Sequence, residues 1–197
     1  MSPRFLACLA ATACVLTANA ALAAPAGKSR NYDNTVQTTD PLGRFFGASV
    51  SPVGRTTVSY PVNHRPGTIV INTRERRLYL VLGNGHALRY GIGVGRDGMT
   101  WAGTTRVSAK REWPDWTPPE QMRRRQPGLP RHMPGGPDNP LGARALYLGS
   151  SLYRIHGSNE PETIGQAVSS GCFRLTNEDV IDLYNRVPVG ATVIVQR

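Results

Sequence analysis

Short apolar runs separated by turn residues dominate the pattern from Gly67 to the end of the chain. Runs rich in β-branched and aromatic residues, bounded by glycine and asparagine, are typical of strands. Gly83-Asn84-Gly85 lies between two of these runs and predicts a tight hairpin. The predicted strands cover residues 68–71, 78–82, 86–94, 146–148, 152–155 and 191–196. The pattern therefore predicts a mainly β domain.

A helical pattern is clear over residues 176–186. Its apolar stripe, with i, i+3, i+4 and i+7 spacing, consists of Val180, Leu183, Tyr184 and Val187. Thr176 is suited to the N-cap, and Asp179 three residues later resembles the acidic member of a capping box. Pro188 ends the pattern. We expect one well-defined helix here and a second, short helix near residues 120–125.

Residues 108–142 form the least regular stretch of the predicted domain, with several prolines, two tryptophans and an arginine run. A connection of this length within a domain is usually functional or mobile, so we predict a long loop. The run Arg123-Arg124-Arg125 has two interpretations: a solvated surface, or the rim of a site that attracts carboxylates.

The first 60 residues differ from the rest. Residues 1–23 contain one basic residue, Arg4, then an uncharged run that ends in Ala21-Leu22-Ala23, the layout of a cleaved secretory signal peptide. A retained membrane anchor and a lipid anchor at Cys14 are the alternatives. Residues 24–60 are rich in small and polar residues and predict a flexible lead-in. The folded domain is expected over residues 61–197.

Composition narrows the class of protein. The 197 residues include 23 Lys+Arg and 13 Asp+Glu, a formal net charge of +10. The apolar fraction of 40% excludes a wholly disordered chain, and 21 glycines with 16 prolines argue against a helical bundle. A basic exported protein suits an anionic surface such as a cell envelope, whereas nucleic acid is a poor partner outside the cell.

Cysteine use points to chemistry. Cleavage of the predicted signal removes Cys8 and Cys14, so Cys172 becomes the single thiol. It follows Ser169-Ser170-Gly171, and His156-Gly157 ends a predicted strand 16 residues earlier. A thiol beside an imidazole can form a thiolate–imidazolium pair, which is a strong nucleophile. A buried, inert cysteine is the alternative. Zinc is not expected, because the histidines lack ligand spacing.

The residues around Cys172 suggest how a reaction would be supported. Successive backbone N–H groups of Ser170, Gly171 and Cys172 are candidates for an oxyanion hole. Arg174 is placed either to hold a substrate carboxylate or to pair with a structural acid.

The sequence resembles the L,D-transpeptidase family of bacterial cell-wall enzymes, the YkuD-type catalytic domain. The resemblance rests on His156-Gly157, then Ser-x-Gly-Cys ending at Cys172, followed by a hydrophobic residue and Arg174. Further similar segments are G-T-I-V-I-N, R-L-Y-L-V, Y-G-I-G-V-G-R, W-P-D-W-T-P-P and D-N-P-L-G-A-R-A-L-Y-L, from about Thr68 onward. Ser170 departs from the many members that have histidine there.

The resemblance implies a β-sandwich-like fold with a loop lid and no metal or organic cofactor. Cys172 would release the terminal D-alanine of a stem tetrapeptide, His156 would move protons, and the Gly157 carbonyl would orient the imidazole. The acceptor would be an amine of another stem, giving a 3–3 crosslink, or of a wall-anchored lipoprotein. The resemblance also implies a periplasmic or envelope location. The substrate-binding residues it implies are Arg174, Ser169, Tyr153 and Trp113.

Two rival functions stay open from sequence. With water as acceptor, the same nucleophile gives an L,D-carboxypeptidase or endopeptidase. A noncatalytic peptidoglycan-binding module would use basic and aromatic residues and leave Cys172 incidental. Papain-like peptidases place the cysteine before the histidine, and here His156 comes first.

Overall fold

Eleven strands and two α-helices make up the regular structure of residues 51–197, the part of the chain that this computed structural model describes. The predicted signal peptide and residues 24–50 of the predicted lead-in lie outside the described residues. The strands are β1 Thr56–Ser59, β2 Ile69–Asn72, β3 Arg77–Gly83, β4 His86–Gly91, β5 Val94–Gly95, β6 Gly103–Glu112, β7 Arg144–Leu148, β8 Arg154–His156, β9 Ala167–Ser169, β10 Phe173–Arg174 and β11 Thr192–Gln196. The helices are α1 Glu120–Arg125 and α2 Asn177–Arg186, and Pro161–Thr163 form a 3₁₀ turn.

Nine of these strands form one mixed sheet, in the order β1-β4-β3-β2-β11-β6-β7-β8-β10, and β5 pairs with β9 separately. The pairs β2–β11, β8–β10 and β5–β9 are parallel, and the other neighbours are antiparallel. The mainly β fold class with two short helices is confirmed.

Strand β6 belongs to both halves of the large sheet. Its first residues pair with β11, and from Val107 onward it pairs with β7. A register shift between Val107 and Ala109 marks an irregularity at this change of partner. An irregularity of this kind bends a strand, and strands that pass from one layer to another commonly turn at such points. The bend in β6 therefore joins the half that carries β2 and β3 to the half that carries β7 and β8.

The core lies where one face of each half meets α2. Apolar side chains from both halves of the sheet and from α2 are fully buried there, and in β2 three consecutive residues are buried, so this strand is covered on both faces. The buried side chains include Ile69, Ile71, Leu78, Leu146, Leu148, Ile155, Phe173, Val180 and Leu183. Burial of each such side chain stabilises the fold by roughly 1.5–3 kcal/mol. The inward direction of Ile155 and Phe173 fixes the outward direction of their neighbours, which include the predicted site residues.

Helix α2 begins as predicted. The Thr176 hydroxyl oxygen accepts a hydrogen bond from the Asp179 backbone N–H at 3.2 Å, which satisfies one of the free donors at the helix N-terminus. Asp179 also forms an ion pair with Arg55. The Arg55 Nη1 atom lies 3.2 Å from Asp179 Oδ1 and 3.6 Å from Asp182 Oδ2. This ion pair joins the segment before β1 to α2.

Four strands were missed by the sequence pattern: the short strands β9 and β10, and the longer strands β1 and β6. The expectation that the lead-in stays irregular to residue 60 is wrong for Thr56–Ser59, which pair with β4 as an edge strand. The expectation of a loop from residue 108 is wrong for residues 108–112, which complete β6. Both strands are mostly polar and exposed, and Val107 is the one fully buried residue of β6, so neither shows the apolar run on which the prediction depended.

The irregular segment between β6 and β7 contains the short helix expected at 120–125 and is held by Asn139. The buried Asn139 side chain donates to the carbonyl oxygens of Pro114, Met133 and Pro134 and accepts from the Leu141 N–H. A second tie is the bridge between Trp116 and Met133. No helix among residues 51–197 is long and apolar enough to cross a bilayer.

Candidate active site

The candidate site lies on the face of β7, β8 and β10 that points away from the core. Parallel register pairs Phe173 with Ile155 and Arg174 with His156. Because successive side chains of a strand point to opposite faces, the inward Ile155 and Phe173 leave Arg154, His156 and Arg174 on the outward face. Cys172 directly precedes β10, and one further step of the same register places it beside Arg154. The fold thus brings Cys172 and His156 onto adjacent strands as diagonal neighbours.

His156 is buried, with 4% of its surface exposed, and its ring is held by its own neighbour in sequence. The Nδ1 atom lies 2.6 Å from the Gly157 carbonyl oxygen. Because a carbonyl only accepts, Nδ1 carries the hydrogen and Nε2 keeps a free lone pair. Burial and the Arg174 charge, with a smaller effect of Arg154, lower the pKa of His156 to about 3 against the opposing hydrogen bond to Gly157. The imidazole is therefore neutral at neutral pH.

Gly157 is required by the close approach of three segments behind His156. A Cβ at Gly157 would lie 2.3 Å from Asn177 Oδ1 and 3.1 Å from the Ala143 nitrogen. Asn177 Oδ1 also accepts the Ala143 N–H at 2.8 Å, so this first residue of α2 fixes the chain that enters β7. Any side chain at position 157 would displace that contact and move the carbonyl that holds the imidazole.

Cys172 is free and partly exposed. Its sulfur lies 3.8 Å from the Leu152 carbonyl oxygen, to which the thiol donates. Burial raises the pKa of the Cys172 thiol, while the Arg154 backbone and side chain and the Arg174 charge act to lower it. In this conformation the thiol points to the Leu152 carbonyl oxygen rather than to His156.

The turn before Cys172 is held by Ser169. The Ser169 hydroxyl donates to the Cys172 carbonyl oxygen at 2.7 Å and accepts from the Gly171 N–H at 3.1 Å. Ser169 is 3% exposed, and in this conformation its hydroxyl bonds to its own turn. Of the three candidate oxyanion donors, the Gly171 N–H is engaged by that hydroxyl. The N–H groups of Ser170 and Cys172 have no acceptor within residues 51–197.

Arg174 meets the second of its two predicted roles in this structure. Its Nη1 lies 3.0 Å from Glu160 Oε2, so its partner is an acid of the chain. Glu160 is half-exposed and precedes the 3₁₀ turn, which places this ion pair at the edge of the outward face.

The two predicted aromatic residues have different positions. Tyr153 stacks on Trp101 with ring centroids 5.0 Å apart, and a Cβ at Gly171 would lie 2.6 Å from the Tyr153 ring. Tyr153 therefore lines the turn that carries Cys172. Trp113 directly follows β6, where its N–H donates to the Ala143 carbonyl oxygen and its backbone packs against Gly135. A substrate-binding role for Trp113 stays a prediction.

Sequence reasoning missed Arg154, Trp101 and Glu160. Arg154 had a usable signal, since it is two residues before His156 in a strand and so shares its face. Trp101 and Glu160 lie in irregular segments, and their positions depend on tertiary contacts. No group of three or more His, Cys, Asp or Glu side chains suited to a metal ion occurs within residues 51–197.

Comparison with known proteins identifies the family of this chain. The family model for the L,D-transpeptidase catalytic domain, YkuD, matches residues 66–195. The probable L,D-transpeptidase YbiS of Escherichia coli K12 is 45% identical over 134 residues, which is 64% of this chain and 43% of YbiS. The chain thus matches less than half the length of this relative.

Two solved structures show the fold. The first is of a protein from Brucella melitensis named as a probable carnitine operon oxidoreductase, and it is 46% identical over 74% of this chain and 94% of that one, with a TM-score of 0.50. The second is L,D-transpeptidase 3 of Mycobacterium tuberculosis in complex with a faropenem-derived adduct. It is 20% identical over 66% of this chain and 60% of that one, with a TM-score of 0.50.

Proposed function

Because the chain belongs to the L,D-transpeptidase family with a YkuD-type catalytic domain, we propose that it is an exported cysteine acyltransferase acting on peptidoglycan stem peptides. The observation that carries the proposal is the register of β8 and β10, which puts Cys172 and His156 on one outward face of adjacent strands. Cys172 is partly exposed and lies outside the hydrophobic core, in which an inert structural cysteine would be expected.

The first half of the proposed reaction acylates Cys172. His156 Nε2 takes the thiol proton, and the sulfur attacks the carbonyl carbon that joins the third stem residue to the terminal D-alanine. The oxyanion of the tetrahedral intermediate accepts hydrogen bonds from the unengaged N–H groups of Ser170 and Cys172. His156 returns the proton to the departing amine, the C–N bond breaks, and D-alanine leaves a thioester on Cys172.

The second half transfers the acyl group. An amine of a neighbouring stem attacks the thioester carbonyl, and His156 Nε2 takes a proton from that amine. The C–S bond then breaks, and His156 gives the proton to the departing sulfur to restore the thiol. The product is a 3–3 crosslink, and an amine of a wall-anchored protein would react by the same steps. If water attacks instead, the product is a shortened stem and the activity is that of an L,D-carboxypeptidase or endopeptidase.

The charge of the outward face supports an anionic substrate. Arg111 on β6 aligns with Ala145, His156 and Arg174 across four neighbouring strands, and Arg154 lies one row away. The carboxylates of a stem peptide would be attracted to this face, and the half-exposed Glu160 can be exchanged for a substrate carboxylate on Arg174. The Gly157 carbonyl would keep Nε2 aimed at the reacting atoms, as the acid of a side-chain triad does.

The direct test is to incubate the purified protein with a wall-derived stem tetrapeptide and record its intact mass. We expect an acyl adduct on Cys172 with release of alanine, no adduct in Cys172→Ala, and a greatly reduced adduct in His156→Ala. His86→Ala is the matched control, because His86 is an exposed histidine on β4 and should react as the parent does.

A second stem peptide added to the acylated protein identifies the acceptor. A dimer mass indicates transfer to an amine, and a tripeptide without dimer indicates hydrolysis. If Cys172→Ala retains alanine release, or if the parent protein gives neither adduct nor alanine, the cysteine mechanism is overturned. Retained binding of peptidoglycan without reaction would then favour the noncatalytic module.

A further inference from the structure

Arg154 and the candidate nucleophile Cys172 occupy neighbouring positions on the outward face. Register pairs Arg154 with Tyr147 on β7, and the parallel register of β10 continues to Cys172 on its other side. The Arg154 guanidinium carbon lies 5.1 Å from the centre of the Tyr147 ring, and its buried Nε has no hydrogen-bond partner within residues 51–197. Tyr147 therefore holds the Arg154 cation on the face that also carries Cys172.

His156 is poorly placed to supply the positive charge that a thiolate needs. Its ring is fully enclosed, and two arginines share its face, so an imidazolium would meet like charges on a site with little water. The usual thiolate–imidazolium pair would therefore be unfavourable here. A thiolate would be stabilised instead by a cation that is already present.

Arg154 fits this role better than Arg174. Arg174 already pairs with Glu160 at 3.0 Å, whereas Arg154 forms no ion pair in the described part of the chain. Both the backbone and the side chain of Arg154 act to lower the pKa of the Cys172 thiol, against the effect of burial. The titratable and charged groups around the sulfur are Tyr147, Tyr153, Arg154, His156, Arg174 and Glu160.

We propose that Arg154 stabilises the Cys172 thiolate directly: its positive charge, rather than a lasting imidazolium at His156, offsets the charge of the sulfur, while His156 Nε2 carries the thiol proton only in transit to the departing amine. This inference rests on the proposed function, because it takes Cys172 as the nucleophile. The roles of charge stabilisation and proton transfer, which a cysteine–histidine pair usually combines, would here belong to two residues on the same strand.

The test measures the reactivity of Cys172 toward iodoacetamide as a function of pH, in the whole protein and with no stem peptide present. Peptide-level mass spectrometry separates the Cys172 adduct from any on Cys8 or Cys14. Loss of an adjacent opposite charge shifts a pKa by about one to three units, so Arg154→Gln should move the midpoint upward by that amount. On acidification, the variant would therefore lose its reactivity toward iodoacetamide at a higher pH than the parent does. Its alkylation rate on the alkaline plateau would equal that of the parent or exceed it slightly.

Two further variants separate charge from packing. Arg154→Lys keeps the charge and should restore most of the midpoint shift, whereas Arg154→Met keeps a long side chain against Tyr147 and should behave like Arg154→Gln. Arg74→Gln is the control for net charge, because Arg74 is exposed at the β2–β3 hairpin, and its midpoint should equal that of the parent. Arg154→Met also serves if Arg154→Gln does not fold.

Several outcomes would overturn the inference. One is that the pH midpoint of alkylation in a folded Arg154→Gln or Arg154→Met protein equals that of the parent. Another is that His156→Gln raises this midpoint while the Arg154 variants leave it unchanged. Failure of the proposed function is distinguishable, since alkylation needs no stem peptide. If the midpoint shifts in Arg154→Gln but the parent does not react with a tetrapeptide, then Arg154 stabilises the Cys172 thiolate as proposed. In that case only the stem tetrapeptide is rejected as the acyl donor.

Discussion

At the scale of single residues, the site depends on small groups that hold the backbone around Cys172. Ser169 is the clearest case, because its hydroxyl makes two hydrogen bonds across the turn and is itself buried. The turn in turn decides where the N–H groups of Ser170 and Cys172 point. Ser169 therefore acts on the proposed reaction through the position of the backbone rather than by contact with a substrate.

We predict that Ser169→Ala lowers the rate of alanine release by tenfold or more with a smaller change in KM. Each lost hydrogen bond contributes about 0.5–1.5 kcal/mol, and the buried Gly171 N–H would be left without a partner. Steady-state kinetics on a stem tetrapeptide provide the measurement. Ser59→Ala, at an exposed position of β1, is the control, and equal kcat values for Ser169→Ala and the parent would contradict the prediction.

The sequence was informative about Cys172 and His156 and less so about their neighbours. The two residues stand in a recognisable order with glycines beside them, and the fold places them on one face. The direction of the Ser169 hydroxyl depends on how β9 pairs with β5, a contact between short strands that no periodic pattern announces. The family resemblance implies a substrate-binding role for Ser169. In the structure its hydroxyl instead forms hydrogen bonds within its own turn, which the sequence alone does not indicate.

At the scale of secondary-structure elements, prediction succeeded where local signals agree. Helix α2 has a cap, an apolar stripe and a stop residue, and the structure places it within one residue of the expected start. Strands β1 and β6 carry threonine, serine and charged residues on an exposed face. They are recognised as strands only from their pairing with neighbouring strands of the sheet. An exposed polar strand leaves little trace in a sequence pattern.

The contact between Arg55 and α2 gives a prediction at this scale. Burial raises the pKa of Asp179 to about 6, against the opposing charge of Arg55. Removal of Arg55 leaves a buried acid without its cation, and we expect Arg55→Gln to lower the free energy of unfolding by about 1–3 kcal/mol at pH 8. Below pH 6 Asp179 is protonated in the folded state, so the loss should be smaller at pH 5.

Urea unfolding at the two pH values measures this effect, with Arg65→Gln as the control at another exposed arginine. The same destabilisation at pH 5 and pH 8 would show that the ionised Asp179 is not what Arg55 stabilises. Faster amide exchange in Thr56–Ser59 of the Arg55→Gln protein is expected as well, because the ion pair holds the chain next to that edge strand.

At the scale of the whole molecule, the buried His156 predicts how stability changes with pH. Its pKa of about 3 in the fold lies below the ordinary value of 6.5, so between these values the unfolded chain binds a proton that the folded protein does not. Stability is therefore greatest above pH 6.5 and falls as the pH drops toward 3. Asp179 acts in the opposite direction between about pH 6 and 3.8, where the folded state binds the extra proton.

Denaturation of the parent and of His156→Gln between pH 4 and pH 8 tests this balance. The parent should vary little from pH 6 to pH 4, because the two groups compensate, whereas His156→Gln should gain stability over that range. The two slopes should differ by up to about 1.4 kcal/mol per pH unit, the effect of one proton. Identical slopes would mean that His156 is protonated in the folded protein.

The order of strands in the large sheet was not predictable from the chain. Apolar runs identify which segments are buried, but both β2 and β11 are short runs of valine and isoleucine with nothing in them to set their neighbours. Their parallel pairing is decided by the whole sheet. The mainly β class followed from local patterns, whereas the topology followed from contacts between distant segments.

The central position of β11 has a consequence for how the protein matures. This strand is the last in chain order, yet it lies between β2 and β6, and Thr73 is bonded to Gln196 across 123 positions of sequence. Until residues 192–196 leave the ribosome, no strand connects the two halves of the sheet. The backbone hydrogen-bonding groups of β2 and β6 that face β11 then have no partner strand. Folding must therefore wait for the end of synthesis of this domain.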